Sequence, residues 1–220
     1  MMVDLRLYAL LDPERAGGHE LAELGREVAA GGATLVQLRD KHGSTRRLIA
    51  ETRAIKAALA SSGVPVLVND RVDVALAAGA DGVHVGQDDM PAADARRLLG
   101  PAAVIGLSVK TIAQAEAAPL EALDYVCVGG VFVTASKDNV AAPIGLAGLK
   151  TILAVLRGRA PDFPVGAIAG IDETNAGEVV DAGADGVAVI SALSLAPDPA
   201  GAAQRLRGTI DRSLRARVAS

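Results

Sequence analysis

Short apolar runs alternate eight times with longer segments rich in Ala, Leu and charge, and this rhythm constrains the fold more than any other feature of the chain. The runs at 5–11, 34–38, 64–68, 82–85, 104–107, 125–128, 165–168 and 187–190 read as strands apolar on both faces, as parallel strands covered by helices must be. The segments at 20–30, 45–61, 72–78, 92–99, 112–118, 146–156, 173–182 and 199–214 read as amphipathic helices. Eight βα units in 220 residues fit a compact α/β chain, a (β/α)8 TIM barrel forming a single domain over residues 1–220. A doubly wound open sheet is the competing fold.

Composition narrows the partners. A formal net charge of -4, with Lys and Arg spread along the chain, offers no basic stripe for nucleic acid and no polybasic tail for a membrane surface. No apolar run reaches the roughly 18 residues of a membrane helix, and "MMVDLRLYALLD" carries acids where a signal peptide would carry a basic start. A cytoplasmic protein with small-molecule substrates is expected, with a homo-oligomer left open. The single cysteine, Cys127, lies in "YVCVGG" and reads as a buried structural thiol.

Three stretches, "AGGATLVQL", "AGADGVHV" and "AGADGVAV", share a glycine suited to stopping a helix, then a polar residue and a new strand. Such junctions lie at the bottom of a barrel, where they serve stability. Residues after each strand emerge at the top, where barrel enzymes keep their chemistry. The top ends are therefore the place to look for function.

Strand two supplies Gln37, Arg39 and Lys41 at alternate positions, projecting to one side of an extended chain. Two cations and an amide suit a polyanion such as diphosphate; a solvated cluster with Arg39 paired to Asp40 is the alternative. Strand three ends in Asn69 and Asp70, and strand four is followed by Asp88 and Asp89. Carboxylates beside cations suggest Mg2+ bridging to a phosphate rather than zinc, whereas Asp70 taken alone reads as a helix cap. His84 inside strand four reads as a satisfied interior histidine. Thr134, Ser136 and Lys137 put three donors in the loop after strand six, a phosphate-covering loop or a plain polar lid. Gly170 after strand seven, and Ile190, Ser191 and Ala192 after strand eight, are suited to a backbone-made phosphate site or simply to tight loop packing.

Taken together in order, "QLRDK", "VND", "GVHVGQDD", "GLS", "TASK", "AIAGI" and "GADGVAVISA" resemble the thiamine phosphate synthase family over nearly the whole chain. The resemblance implies a transferase that joins 4-amino-5-hydroxymethyl-2-methylpyrimidine diphosphate to 4-methyl-5-(2-phosphoethyl)thiazole, releasing diphosphate with Mg2+. It implies that Gln37, Leu38, Arg39, Asp40, Lys41, Asn69, Ser108 and Lys137 meet the pyrimidine diphosphate, with Arg39, Lys41, Ser108 and Lys137 nearest the chemistry. It assigns Thr134, Ala135, Ser136, Gly170, Ile190 and Ser191 to the thiazole phosphate, and Asp70 and Asp89 to the metal. The implied path is dissociative: diphosphate leaves, and the thiazole nitrogen captures the pyrimidine-stabilised carbocation.

The chain departs from the family pattern at Lys110, where histidine is common, at Val133 for a proline, at Ser136 for a threonine and at Ala169 for a glycine. A thiazole tautomerase-like isomerase and a regulatory barrel binding thiazole phosphate are the rival functions. Neither has a diphosphate to manage, so neither needs the set Gln37, Arg39, Lys41, Asp70 and Asp89.

Overall fold

The computed structural model describes residues 3–134 and 142–218. Eight parallel strands close on themselves in sequence order, β8 pairing back to β1. They are β1 (Leu7–Leu11), β2 (Leu35–Leu38), β3 (Val66–Asn69), β4 (Gly82–Val85), β5 (Val104–Val109), β6 (Tyr125–Val128), β7 (Val165–Ile168) and β8 (Gly186–Val189). The helices between them are α1 (Leu21–Ala30), α2 (Thr45–Leu59), α3 (Val72–Ala78), α4 (Ala92–Leu99), α5 (Ile112–Ala117), α6 (Gly145–Arg159) and α7 (Ala176–Asp181). A short α8 (Ser191–Ser194) and a long α9 (Pro199–Val218) follow the last strand. The eightfold rhythm is therefore a closed barrel, and the open sheet is excluded. Among the described residues no helix is long and apolar enough to cross a membrane.

The strand alternation divides the core in two. Outward residues such as Val36, Leu38, Val83 and Val126 pack against the helices, while Tyr8, Leu10, Leu35, Leu67, Tyr125 and Ile168 fill the barrel. The chain has only two tyrosines, and both are fully inside. Gly106, beside Tyr125 in register, makes room for them: a Cβ there would collide with the Tyr125 ring.

The repeated "AGADGV" acquires a physical reason at the barrel bottom. Gly79 ends α3 in the left-handed conformation, φ 68°, and Gly183 after α7 has φ 115°, both favouring glycine. Asp81 and Asp185 then accept hydrogen bonds from the first N–H of the preceding strand, Val66 and Val165, each at 2.8 Å. Each also takes a cation from the helix before that strand, Lys56 at 2.7 Å and Arg157 at 2.6 Å. Asp124 repeats the arrangement with Ile105 N–H and Arg96. At the fourth corner Thr34 Oγ1 accepts from Leu7 N–H at 3.1 Å. The motif is thus a clamp recurring at every second strand junction, and the glycines after Asp81 and Asp185 let strands approach: a Cβ at Gly82 would strike the Val104 carbonyl.

Two outcomes follow. Asp185→Ala removes the acceptor for Val165 N–H and leaves Arg157 and Arg217 without their carboxylate; urea denaturation should show a loss of about 1–3 kcal/mol, and an unchanged midpoint contradicts the clamp. Burial, above all, pushes both tyrosine phenols well above their ordinary range. The folded state therefore holds its phenolic protons more tightly than the unfolded chain, so this stability is complete below about pH 10 and falls as pH rises further. Spectrophotometric titration should show tyrosinate appearing only with unfolding; a reversible transition near pH 10 in folded protein contradicts it.

Candidate active site

The C-terminal ends of all eight strands meet at one mouth, and its two halves differ in character. Across β1 to β4 the mouth is charged. Gln37, the last inward residue of β2, is buried and donates through Nε2 to the Tyr8 hydroxyl. Its Oε1 is buried and has no hydrogen-bond partner. Leu38 turns its side chain outward into the helix-facing core, so that only its backbone faces the mouth.

Arg39 does not pair with Asp40. Its Nη1 bonds to Asp12, the residue that follows β1. Asp40 instead holds its own loop, with Oδ1 accepting from the N–H groups of His42 at 2.9 Å and Gly43 at 2.7 Å. Lys41 reaches across to the Asp70 carboxylate.

Asp70 is not a helix cap either: the cap of α3 is Arg71, with no capping side-chain bond. Asp70 sits at φ 62° with its N–H on the His84 carbonyl at 2.8 Å, and its side chain turns to Lys41 and Asp89. Positive φ at a non-glycine residue costs roughly 1–3 kcal/mol and persists where the surroundings hold it. Burial pushes the Asp70 carboxyl above its usual range; Lys41 pulls it down and the neighbouring Asp89 pushes it up. Asp89 is oriented by the Gly86 N–H, which donates to Oδ2 at 2.7 Å. Asn69 ends β3 beside His84 in register.

A polar chain runs through the barrel interior beneath this cluster. Tyr8 and Tyr125 hydroxyls lie 2.9 Å apart, Tyr125 is 2.8 Å from His84 Nδ1, and His84 Nε2 is 2.8 Å from Ser108 Oγ. His84 is thereby a satisfied interior histidine, and it fixes Ser108 at the mouth. Lys110, two residues on, is exposed, with its stem over Gly129.

Across β7 and β8 the described lining carries no cation and is mostly uncharged, with Asp172 as its one carboxylate. A cavity of about 420 Å³ is lined by Val133 and Thr134, the segment from Ile168 to Asp172, the segment from Ala188 to Ala192, and Leu195. Gly170 (φ 65°) shapes it, and a Cβ there would collide with the Val133 carbonyl. Ala169 adopts φ 98°, a conformation that favours glycine, at the position where the sequence departs from a glycine. Ser191 opens α8 at the cavity wall. Ala135, Ser136 and Lys137 lie outside the described residues.

Asp12 and the two tyrosines are the site residues that strand-end reading from strand two onward misses. Asp12 was legible: it follows β1 as Arg39 follows β2, and Leu11 pairs with Leu38 in register.

Comparison with known proteins bears on this mouth. The family model described as thiamine monophosphate synthase matches residues 7–193. Among curated relatives, the thiamine-phosphate synthase of Agrobacterium fabrum is 54% identical over 98% of both chains. That of Moorella thermoacetica is 44% identical over 94% of this chain and 96% of its own. The solved thiamine phosphate pyrophosphorylase of Pyrococcus furiosus superposes with a TM-score of 0.83 at 37% identity, covering 96% of this chain and 98% of the other. A tryptophan synthase of Mycobacterium tuberculosis, 16% identical with a TM-score of 0.68 over 94% of this chain and 93% of its own, shares the fold alone. With its order of strand-end motifs intact and relatives of nearly equal length, the chain belongs to the thiamine monophosphate synthase family.

Proposed function

We propose that this barrel is a thiamine phosphate synthase, joining 4-amino-5-hydroxymethyl-2-methylpyrimidine diphosphate to 4-methyl-5-(2-phosphoethyl)thiazole and releasing diphosphate with the help of Mg2+. The observation that carries this reading is the division of the mouth. A cluster of cations and carboxylates at β1 to β4 suits a polyanion that must leave. A cavity at β7 and β8 walled mainly by backbone and small or apolar side chains, with Asp172 as the one charge of its described lining, suits a phosphate that stays attached to the product. A protein handling thiazole phosphate alone needs only the second.

Mg2+ fits the residues present. The carboxyls of Asp70 and Asp89 meet, one of them half-buried, in a setting that asks for a cation. Among the described residues no three His, Cys, Asp or Glu side chains cluster. Two carboxylates with substrate phosphates and water are the usual setting of this hard ion. When bound there it supplies charge that stabilises the departing diphosphate.

The side chains do the rest. Arg39 and Lys41, with Asn69, Ser108 and Lys137, hold the diphosphate half, and Gln37 offers a buried acceptor to the amino group of the pyrimidine. Asp40 keeps the strand-two loop in shape around Arg39 and Lys41. Thr134, Ala135 and Ser136, with Gly170, Ile190 and Ser191, hold the thiazole phosphate and aim its ring nitrogen at the carbon losing diphosphate. No side-chain nucleophile is needed, because positioning and charge stabilisation carry the reaction. The one thiol, Cys127, is buried and takes no part in this scheme.

Mixing both substrates should release diphosphate and form thiamine phosphate only when Mg2+ is present. Asp89→Ala or Arg39→Ala should lower kcat/KM by at least about 2–3 kcal/mol of transition-state stabilisation. Undiminished turnover in either variant rejects the site assignment.

A further inference from the structure

We propose that Asp12 is a positioning residue for the reaction: its buried carboxylate holds the Arg39 guanidinium in a fixed orientation, so that the remaining N–H groups face the departing diphosphate before substrate arrives. The inference rests on the reading of Arg39 as a diphosphate ligand. Three observations and the geometry of the guanidinium group carry it.

The Asp12 side chain is 3% exposed and that of Arg39 only 11%, so this is no solvated surface pair of small worth. The two residues are adjacent across the β1–β2 ladder, with Arg39 N–H donating to the Leu11 carbonyl at 2.8 Å. The backbones that carry them are thus locked by barrel closure. Asp12 is also fixed locally. Its Oδ1 accepts from Glu14 N–H at 3.0 Å and its carbonyl from Arg15 N–H at 2.9 Å, which leaves Oδ2 for the guanidinium. Finally, a guanidinium is planar with five N–H donors in a rigid fork, so anchoring Nη1 on Asp12 Oδ2 restricts the directions open to the others.

Removing the carboxylate therefore has two separable effects. Arg39 loses its fixed orientation, which lowers the rate at which diphosphate departs. The mouth loses a negative charge, which does not weaken the attraction for an anion. Turnover and substrate affinity should part company, a result that general loosening of the fold does not give.

The test is a double-mutant cycle in the full-length protein with Mg2+ and both substrates. Asp12→Asn, shown to be folded by circular dichroism, should lower kcat by about 10- to 100-fold. The KM values for pyrimidine diphosphate and for thiazole phosphate should each change by less than about threefold. In the Arg39→Ala background the same substitution should cost less than about twofold, because the group that Asp12 orients is already gone. Should Asp12→Asn fail to fold, Asp12→Glu, which keeps the charge but displaces it by one methylene, replaces it in the cycle, with the same loss of kcat expected. Equal losses in the two backgrounds, or wild-type kcat in the Asp12 variant beside an impaired Arg39→Ala, overturn the inference alone. Wild-type turnover in Arg39→Ala overturns the reading of Arg39 as well.

Discussion

Barrel closure is the constraint on which the rest of the structure depends. Each strand is hydrogen-bonded to a neighbour on both edges, so no residue can shift register without disturbing all eight. Strands of only four to six residues give that closure little length over which to average out an error. The clamps at the bottom supply the definition. Asp81, Asp124 and Asp185, with Thr34 at the fourth corner, each tie the first N–H groups of one strand to the start of the next. Lys56, Arg96 and Arg157 tie the first three corners to the preceding helix. The strand tops are placed as a consequence, and residues distant in sequence, such as Asp12 and Arg39 or Lys41 and Asp70, come within reach of one another.

The mouth uses that placement to keep two kinds of anion environment apart. On the charged side Arg39 and Lys41 each already have a carboxylate, Asp12 and Asp70 respectively. Preformed pairs of this kind are oriented before a ligand arrives, and the ordering cost of long side chains is met in folding rather than in binding. On the β7 and β8 side the backbone does the shaping, with Ala169 and Gly170 both at positive φ. Between the two, the chain from Gln37 through Tyr8, Tyr125 and His84 to Ser108 gives the interior a polar spine. Because its members hydrogen-bond to one another, a change at one shifts the partners of the next.

Much of this was legible from the residues. Short apolar runs located β4, β6 and β7 to the residue, because a strand buried on both faces leaves a largely apolar signature. Ends exposed to the mouth were less legible. Strand β5 runs on to Val109, past a polar Ser108 that looks like a strand end but is paired to Cys127 in register. Helix α7 starts at Ala176, three residues later than polarity suggests, because Asp172 accepts from Thr174 N–H and forms a turn first. The pairing choices at the mouth were beyond one-dimensional reading. Arg39 turns to Asp12 rather than to its neighbour Asp40, and Asp70 to Lys41 rather than to the helix that follows it. Those outcomes are decided by which strand tops the closed barrel brings together.

The central claim is that one barrel mouth holds two separate anion sites, one cationic and metal-dependent and one made mainly by backbone. Calorimetric titration of inorganic diphosphate and thiazole phosphate, each alone and each in the presence of the other, tests it most directly. The account predicts that both bind at once, that diphosphate requires Mg2+ and is lost in Asp89→Ala, and that thiazole phosphate binding in that variant is unchanged. Mutual displacement of the two ligands, or loss of both in Asp89→Ala, would contradict it.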